Sequence, residues 1–599
     1  MPRFVVKTLH VVTLVAVALV APAYAKPQKV EPIIAAAEPV AVEAGMAALK
    51  RGGTAADAAV AVQSVLGLVE PQSSGLGGGA FMLYYDAATG EITDYNGRER
   101  APASATADRF FGSDGKTLPW PDAVTSGRAT GVPGAVFMLD QAHKDHGKLK
   151  WNSLFDAGIG LADKGFTVSK RLGRYLQTGN FPQKKTPDAF AYFGDGQGGY
   201  RKTGDVLTNP AYGDTLRALA AQRSDAFRSG PIAEAIVAKA NAAPLPGGMT
   251  LEDLAGYRVK STTIKPYSVT SDFRGKPLCV PYRVYIVCTT NVPSGGIAVL
   301  QGLRIAEAYP LGQWGVHDPR AWQVLIEAER LMYADRDYYE GDTPLFAAQQ
   351  TAYLNGNYAL SRAATITVGK ANAAPKAGKL PVLSVQPGAD ATLEPAGTTH
   401  FVIRDSYGNV LSMTTTVESV FGSGRMVGGF FLNNQLTDFS FNPTAADGTP
   451  AANAVAGGKH PRSSMAPVIV FDAKGKVVAA VGSPGGNSIL SYNLKTLIGV
   501  LDWKLTMQDA INLPNVVARG ESIRIEKERM EPKVWDGLVA MGYQITAVSG
   551  EESGLNGILR KKDGRFDGGS DPRRSGIVMK GGQPSRSEPG RRSALGQRK

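Results

Sequence analysis

Apolar positions recur with two different periods along this chain. In "EPVAVEAGMAALKRGGTAADAAVAVQSVLGLVEP" they follow helical spacing on both sides of Gly52-Gly53, which predicts two helices. The second is alanine-rich and so able to pack closely against a sheet. The period shortens to two in "SSGLGGGAFMLYYDAATGEITDYNGRERAP", read as two strands joined by a turn from Asp86 to Gly90. Residues 105 to 260 are mainly helical in pattern, as in "NPAYGDTLRALAAQRSDAFRSGPIAEAIVAKANAA". Residues 265 to 290 return to strands, and "SGGIAVLQGLRIAEAYP" and "DPRAWQVLIEAERLMYADRDYYEGD" to helices.

Between about 364 and 397 the chain is poor in large apolar residues and rich in Ala, Pro and Gly, the pattern of an extended loop. Alternation resumes at Thr398: "THFVIRDSYGNVLSMTTTVE" predicts a hairpin, "APVIVFDAKGKVVAAVGSPGG" a second one, and "SILSYNLKTLIGVLDWKLTMQDAINLP" helices. Strand pairs and helices on both sides of the loop predict a layered α+β fold.

The first residues change the picture of the whole. Arg3 and Lys7 precede an apolar run broken by Thr13 and ending in Ala23-Tyr24-Ala25. That is the pattern of a secretory signal peptide over 1–25, and it predicts a periplasmic or secreted protein without a membrane span. The remainder is long enough for two packed units or one large domain. Half of the formal charge of +12 sits in the leader and in a basic tail, 581–599, expected to be disordered. The body has no basic stripe interleaved with aromatics, which argues against a nucleic-acid partner. Cys279 and Cys288, in "KPLCVPYRVYIVC", flank strand-like alternation and in an oxidising compartment are expected to staple a hairpin. The six histidines offer no metal-ligand spacing beyond "HKDHGK", read as a solvated turn, so no metal is expected.

The candidate chemistry lies in "PAGTTHFVIRDSYGNVLSMTTT". A threonine hydroxyl is a weak nucleophile until a base takes its proton. Cleavage between Gly397 and Thr398 would give Thr398 a free α-amine, with a pKa of about 7.7 to 8.0, close to what a general base needs at neutral pH. On these residues alone, Thr398 reads as an ordinary β-branched strand residue, and only the company the stretch keeps changes that.

The chain resembles the γ-glutamyltranspeptidases, a family of N-terminal-nucleophile hydrolases. The resemblance is carried, in the family's order, by "GGTAADAAVAVQSVLGLVEPQSSGLGGGAFMLYYD", "GRERAP", "ATGVPGAV", "PSGGIAVLQ", "TTHFVIRDSYGNVLSMTTT", "FLNNQLTDFS", "RSSMAPVIV", "GSPGG" and "GGSDPRR". It implies a four-layer αββα sandwich and a precursor that cuts itself after Gly397, giving a large subunit of residues 26–397 and a small catalytic subunit of 398–580 plus tail, held as a heterodimer. It implies that Thr398 is the nucleophile, that Thr416 hydrogen-bonds it, and that the amides of Gly485 and Gly486 form the oxyanion hole. Arg98, Ser463 and Ser464 would hold the substrate α-carboxylate, and Asp438, with Asn434 and Gln435, its ammonium. Without the family, Arg98 would read as a surface partner of Glu99. The implied reaction moves a γ-glutamyl group from glutathione or another γ-glutamyl amide to water or an amino-acid or peptide acceptor, with no cofactor.

Two features depart from the family pattern. Glu418 stands where an asparagine usually helps to bind the ammonium; a carboxylate there keeps that role or changes specificity. The stretch between Asp438 and Ser463 reads as short and loose rather than as a lid. Two alternatives therefore stay open: a related cephalosporin- or glutaryl-type acylase, and an unprocessed exported binding protein.

Overall fold

The computed structural model describes residues 29–266, 273–380, 392, 397–444, 448–550 and 552–584. The predicted leader lies outside these residues, as does the tail beyond Pro584 and most of the loop expected before Gly397; the described stretch 371–380 has no regular structure.

Two antiparallel sheets stack face to face. The first, among the described residues, has eight strands in the spatial order Gln583–Pro584, Ile577–Lys580, Ile33–Ala36, Thr398–Arg404, Val410–Thr416, Gly79–Asp86, Glu91–Gly97 and Lys260–Ile264. The second runs Phe566–Ser570, Asn556–Arg560, Val477–Gly482, Val468–Asp472, Tyr285–Thr289 and Leu278–Tyr282. Helices cover both outer faces.

Strand alternation builds these layers. Phe401 and Ile403 point out of the first sheet into an apolar cluster under helices Pro39–Lys50, Ala55–Val69 and Ala135–His146. Val402, between them, points inward and meets Ile469, Phe471, Ala480 and Ile558 of the second sheet. On that sheet Val468 and Val470 face outward, onto Leu300, Leu325 and Leu497 of helices Gly296–Ala306, Pro319–Tyr339 and Ile489–Leu501. The result is the expected αββα sandwich. The alanine-rich helix Ala55–Val69 is buried all round and begins with a capping box between Thr54 and Asp57.

Several sequence expectations hold. Two helices flank Gly52-Gly53, a hairpin turns at Asp86–Gly90, and Cys279 and Cys288 face each other across a hairpin and are disulfide-bonded, Cα to Cα 4.1 Å. No helix among the described residues is long and apolar enough to cross a membrane.

Three readings change. "HKDHGK" is not a solvated turn: its histidines end the helix Ala135–His146, with His143 Nε2 3.2 Å from Asp57 and His146 stacked on Tyr84. The tail does not begin at residue 581, because Gln583–Pro584 pairs back onto Ile577–Lys580. The stretch after Asp438 is tied down where described: Asn453 Nδ2 donates to the Asp438 carbonyl at 2.7 Å, and its Oδ1 accepts from the Arg462 amide at 2.9 Å.

Candidate active site

Thr398 opens one central strand, Thr416 closes the next, and the sheet register places them directly opposite. Both are buried. Thr398 Oγ1 donates to Thr416 Oγ1 at 3.1 Å, and Thr416 Oγ1 donates to the Gly397 carbonyl at 2.8 Å. The Glu418 amide in turn donates to Thr416 Oγ1 at 2.8 Å, which fixes that hydroxyl's rotamer and leaves its proton for the carbonyl. Arg574, from the late "GGSDPRR" block, donates to the Thr398 carbonyl at 2.8 Å.

Close backbone approach explains two glycines here. A Cβ on Gly397 would lie 2.2 Å from the Glu418 carbonyl oxygen, and one on Gly78, in "SGLGGG", 1.9 Å from that of Thr416. The glycine run is thus the place where the loop before Gly79–Asp86 slides past the end of the threonine strand.

One concavity joins Thr398 and Thr416 to Arg98, Glu418, Gln435, Asp438, Ser463, Ser464 and Gly486, with Met465 and Ile489 as apolar wall. Nearly all the residues expected at the site therefore converge, although they come from segments more than 380 residues apart. Two do not line it. Asn434 lies behind Glu418, donating to its Oε2 and accepting from the Ser419 amide at 3.1 Å. Gly485 lines a neighbouring cleft of about 650 Å³ together with Tyr333, Arg519 and Arg524. Gly485 has a φ of 139°, and of the two glycines Gly486 lines the Thr398 pocket.

Arg98 is fully buried rather than a surface residue. Its Nη2 donates to Asp438 Oδ2 at 2.6 Å and to the Arg462 carbonyl at 2.8 Å, while Nε donates to the Pro461 carbonyl at 3.2 Å. Nη1 makes no hydrogen bond and lies 3.6 Å from Glu99 Oε2. Burial, opposed by Arg98, pushes the Glu99 carboxyl up to about 8, so Asp438 is the main counter-charge to Arg98. Gln435 Nε2 donates to the same Asp438 oxygen at 2.5 Å. A guanidinium and a carboxylate side by side complement the α-carboxylate and α-ammonium of a single amino acid.

The serines are positioned from the other half of the molecule. The Ser463 amide donates to the Pro293 carbonyl at 2.8 Å, its Oγ accepts from the Met465 amide at 3.1 Å, and Ser464 Oγ accepts from Arg336 Nη2 at 2.8 Å. "PSGGIAVLQ" is therefore scaffold for the serine pair. Arg336 and Arg574 were assigned no role from sequence; Arg336 lies in an amphipathic helix and carries no local signal, whereas Arg574 sits in a recognisable block. Glu418 has φ of 79°, unusual for a residue with a side chain, and its carboxyl is wholly buried. Burial first, then the charge of Asp438, holds that carboxyl well above the usual carboxylate range. Further along the nucleophile strand, His400 is buried with Nδ1 2.8 Å from Thr414 Oγ1, and burial depresses its imidazole to about 3.

The sequence model of the gamma-glutamyltranspeptidase family matches residues 41–581. The chain is 34% identical over 559 residues to a glutathione hydrolase proenzyme of Bacillus subtilis strain 168, covering 91% of each, and 34% identical over 558 residues to that of Escherichia coli K12, covering 90% of each. Among solved structures it is similar to cephalosporin acylase from Bacillus halodurans, with a TM-score of 0.78 and 24% identity over 95% of this chain and 99% of that one, a likeness of fold. It is also similar to the γ-glutamyltranspeptidase of Helicobacter pylori, with a TM-score of 0.51 and 29% identity over 57% of this chain and 93% of that one. With the family match covering most of the sandwich and every wall of the Thr398 pocket, the chain belongs to the γ-glutamyltranspeptidase family.

Proposed function

We propose that this protein is an exported, self-processing γ-glutamyltransferase and γ-glutamyl-amide hydrolase, with Thr398 as its nucleophile. Processing begins when Thr398 Oγ attacks the Gly397 carbonyl carbon. The Gly397–Thr398 amide becomes an ester, and water hydrolyses it to leave Gly397 as a carboxylate and Thr398 as an N-terminus. Thr416 supports this step by donating to the oxygen that gains charge, at 2.8 Å in the uncut chain. In turnover the new α-amine takes the Thr398 hydroxyl proton and passes it to the leaving amine. The acyl group then moves from Thr398 to water or to an acceptor amine.

The observation that carries the reading is the single pocket holding Thr398 beside the Arg98–Asp438 pair. Arg98 with Ser463 and Ser464 holds the α-carboxylate, and Asp438 with Gln435 the ammonium, while Gly486 backs the reacting carbonyl. The retained anion beside Arg98 favours a γ-glutamyl over a glutaryl donor, which has no ammonium. The processed protein is expected to release aniline from a chromogenic γ-glutamyl anilide faster than from its glutaryl counterpart. Equal or reversed rates would move the assignment to an acylase.

A further inference from the structure

We propose that Glu418 and Asp438 form a proton-sharing carboxyl pair that reads the substrate's α-ammonium: Glu418 meets the substrate as a neutral acid hydrogen-bonded to Asp438 and gives up its proton when the ammonium binds. The inference rests on the γ-glutamyl reading above and goes beyond it, because the residue usual in the family at this position has no proton to give.

The geometry supplies the argument. Glu418 lines the pocket with Thr398 and lies within hydrogen-bonding reach of Asp438. Asp438 already receives Arg98 Nη2 and Gln435 Nε2 on one oxygen, which fixes it as the ionised member. Arg98 is the cation facing the pair, and its other neighbour, Glu99, is buried too. The arginines behind the serines answer to other acids, Arg336 to Asp337 and Glu340 and Arg462 to Asp337. A second ionised carboxylate beside Asp438 would thus be a buried charge without a counter-ion, which is strongly unfavourable. A shared proton removes that cost. Asn434 occupies Glu418 Oε2, so the proton belongs on Oε1, which is buried and has no other partner. Burial and the Asp438 charge, which raise the Glu418 pKa, act in the same sense.

An arriving ammonium supplies the missing counter-ion. The Glu418 O–H bond then breaks, its proton leaves to water, and the two carboxylates hold the ammonium between them. Binding of an α-ammonium is therefore coupled to release of one proton, whereas a ligand without it leaves Glu418 protonated. An asparagine at 418 would recognise the ammonium without changing charge.

Titration calorimetry on the processed protein tests this, with L-glutamate and glutarate as ligands at pH 7 in phosphate and in Tris, whose ionisation enthalpies differ. For L-glutamate the heats should differ by nearly one proton per site; for glutarate, and for L-glutamate with Glu418→Gln, the difference should vanish. The Thr398 α-amine also titrates near this pH, but it faces the γ end that both ligands share, so the contrast between ligands isolates the pair. A measurement on the unaltered protein guards against misfolding of the variant: L-glutamate affinity should rise up to tenfold per pH unit between pH 6 and 7, and glutarate affinity should not. Binding of L-glutamate with equal heats in both buffers would overturn this inference alone. No binding of L-glutamate, with glutarate bound, would overturn the γ-glutamyl reading and this inference with it.

Discussion

Thr398 and Thr416 are exact sheet partners whose hydroxyls touch, at 3.1 Å, and the second of them also donates to the carbonyl that precedes the first. The attacking group, the bond to be cut and the donor for its oxygen are thus assembled by strand pairing before any cleavage takes place.

Intact-mass measurement of the purified protein should give two fragments, the smaller beginning at Thr398. Thr398→Ala should remain a single chain without turnover. An uncut wild-type chain would return Thr398 to the status of a strand residue.

Thr416→Val keeps the shape and the β-branch but removes the donor to the Gly397 oxygen. By analogy with loss of one oxyanion donor, processing and kcat should fall by about 10²- to 10³-fold. Thr416→Ser should restore most of the rate; if valine and serine behave alike, the hydroxyl has no part in the chemistry.

At Gly397 the expected effect is steric. Alanine would place its Cβ 2.2 Å from the Glu418 carbonyl oxygen, so the scissile peptide must shift away from Thr416. Time-resolved gel analysis should show Gly397→Ala maturing at least tenfold more slowly than wild type, a loss that about 1.4 kcal/mol of misplacement suffices to cause. Maturation at the wild-type rate would show that the peptide reacts from another position.

Arg98→Lys keeps the charge but loses the planar fork. KM for a γ-glutamyl donor should rise by about ten- to a hundredfold with kcat less affected, the pattern of lost substrate binding. Arg98→Met strands Asp438 and should destabilise the fold by about 3–5 kcal/mol, visible as a lowered urea midpoint. A lysine variant with unchanged KM would remove Arg98 from substrate recognition.

Acid stability should depend on His400. Its folded-state pKa, about 3, lies below the ordinary value of about 6.5, so the unfolded chain takes up the proton first. The stability is complete above pH 6.5 and is lost as pH falls towards 3, by about 2 kcal/mol at pH 5. Urea unfolding at pH 7 and pH 5 on the uncleaved Thr398→Ala chain should show this loss, and in the same background His400→Gln should show a shallower one. Equal pH slopes would mean that His400 is hydrated in the folded protein.

Local pattern alone was enough for many of the elements and for a layered α+β class, while the four-layer sandwich came with the family resemblance. The two helices flanking Gly52-Gly53, the strand pairs around Asp86–Gly90 and Thr398–Thr416, and the cysteine hairpin all follow from periodicity and turn residues. These properties are set by neighbours a few positions apart. Ile33–Ala36 escaped, because four apolar residues before a helix have no period to read, and only its two sheet partners make it a strand. Ordered motifs named the site residues as well, but not their stations. Tertiary packing decided that Arg98 is buried against Asp438, that Asn434 stands behind Glu418, and that Gly486 rather than Gly485 meets the pocket. It also placed Arg336 behind Ser464, across 128 residues of chain. Above all, it set Glu418 beside Asp438. Two acids twenty residues apart have ordinary properties in a sequence, and they become a coupled pair only when the fold excludes water and leaves them one guanidinium between them.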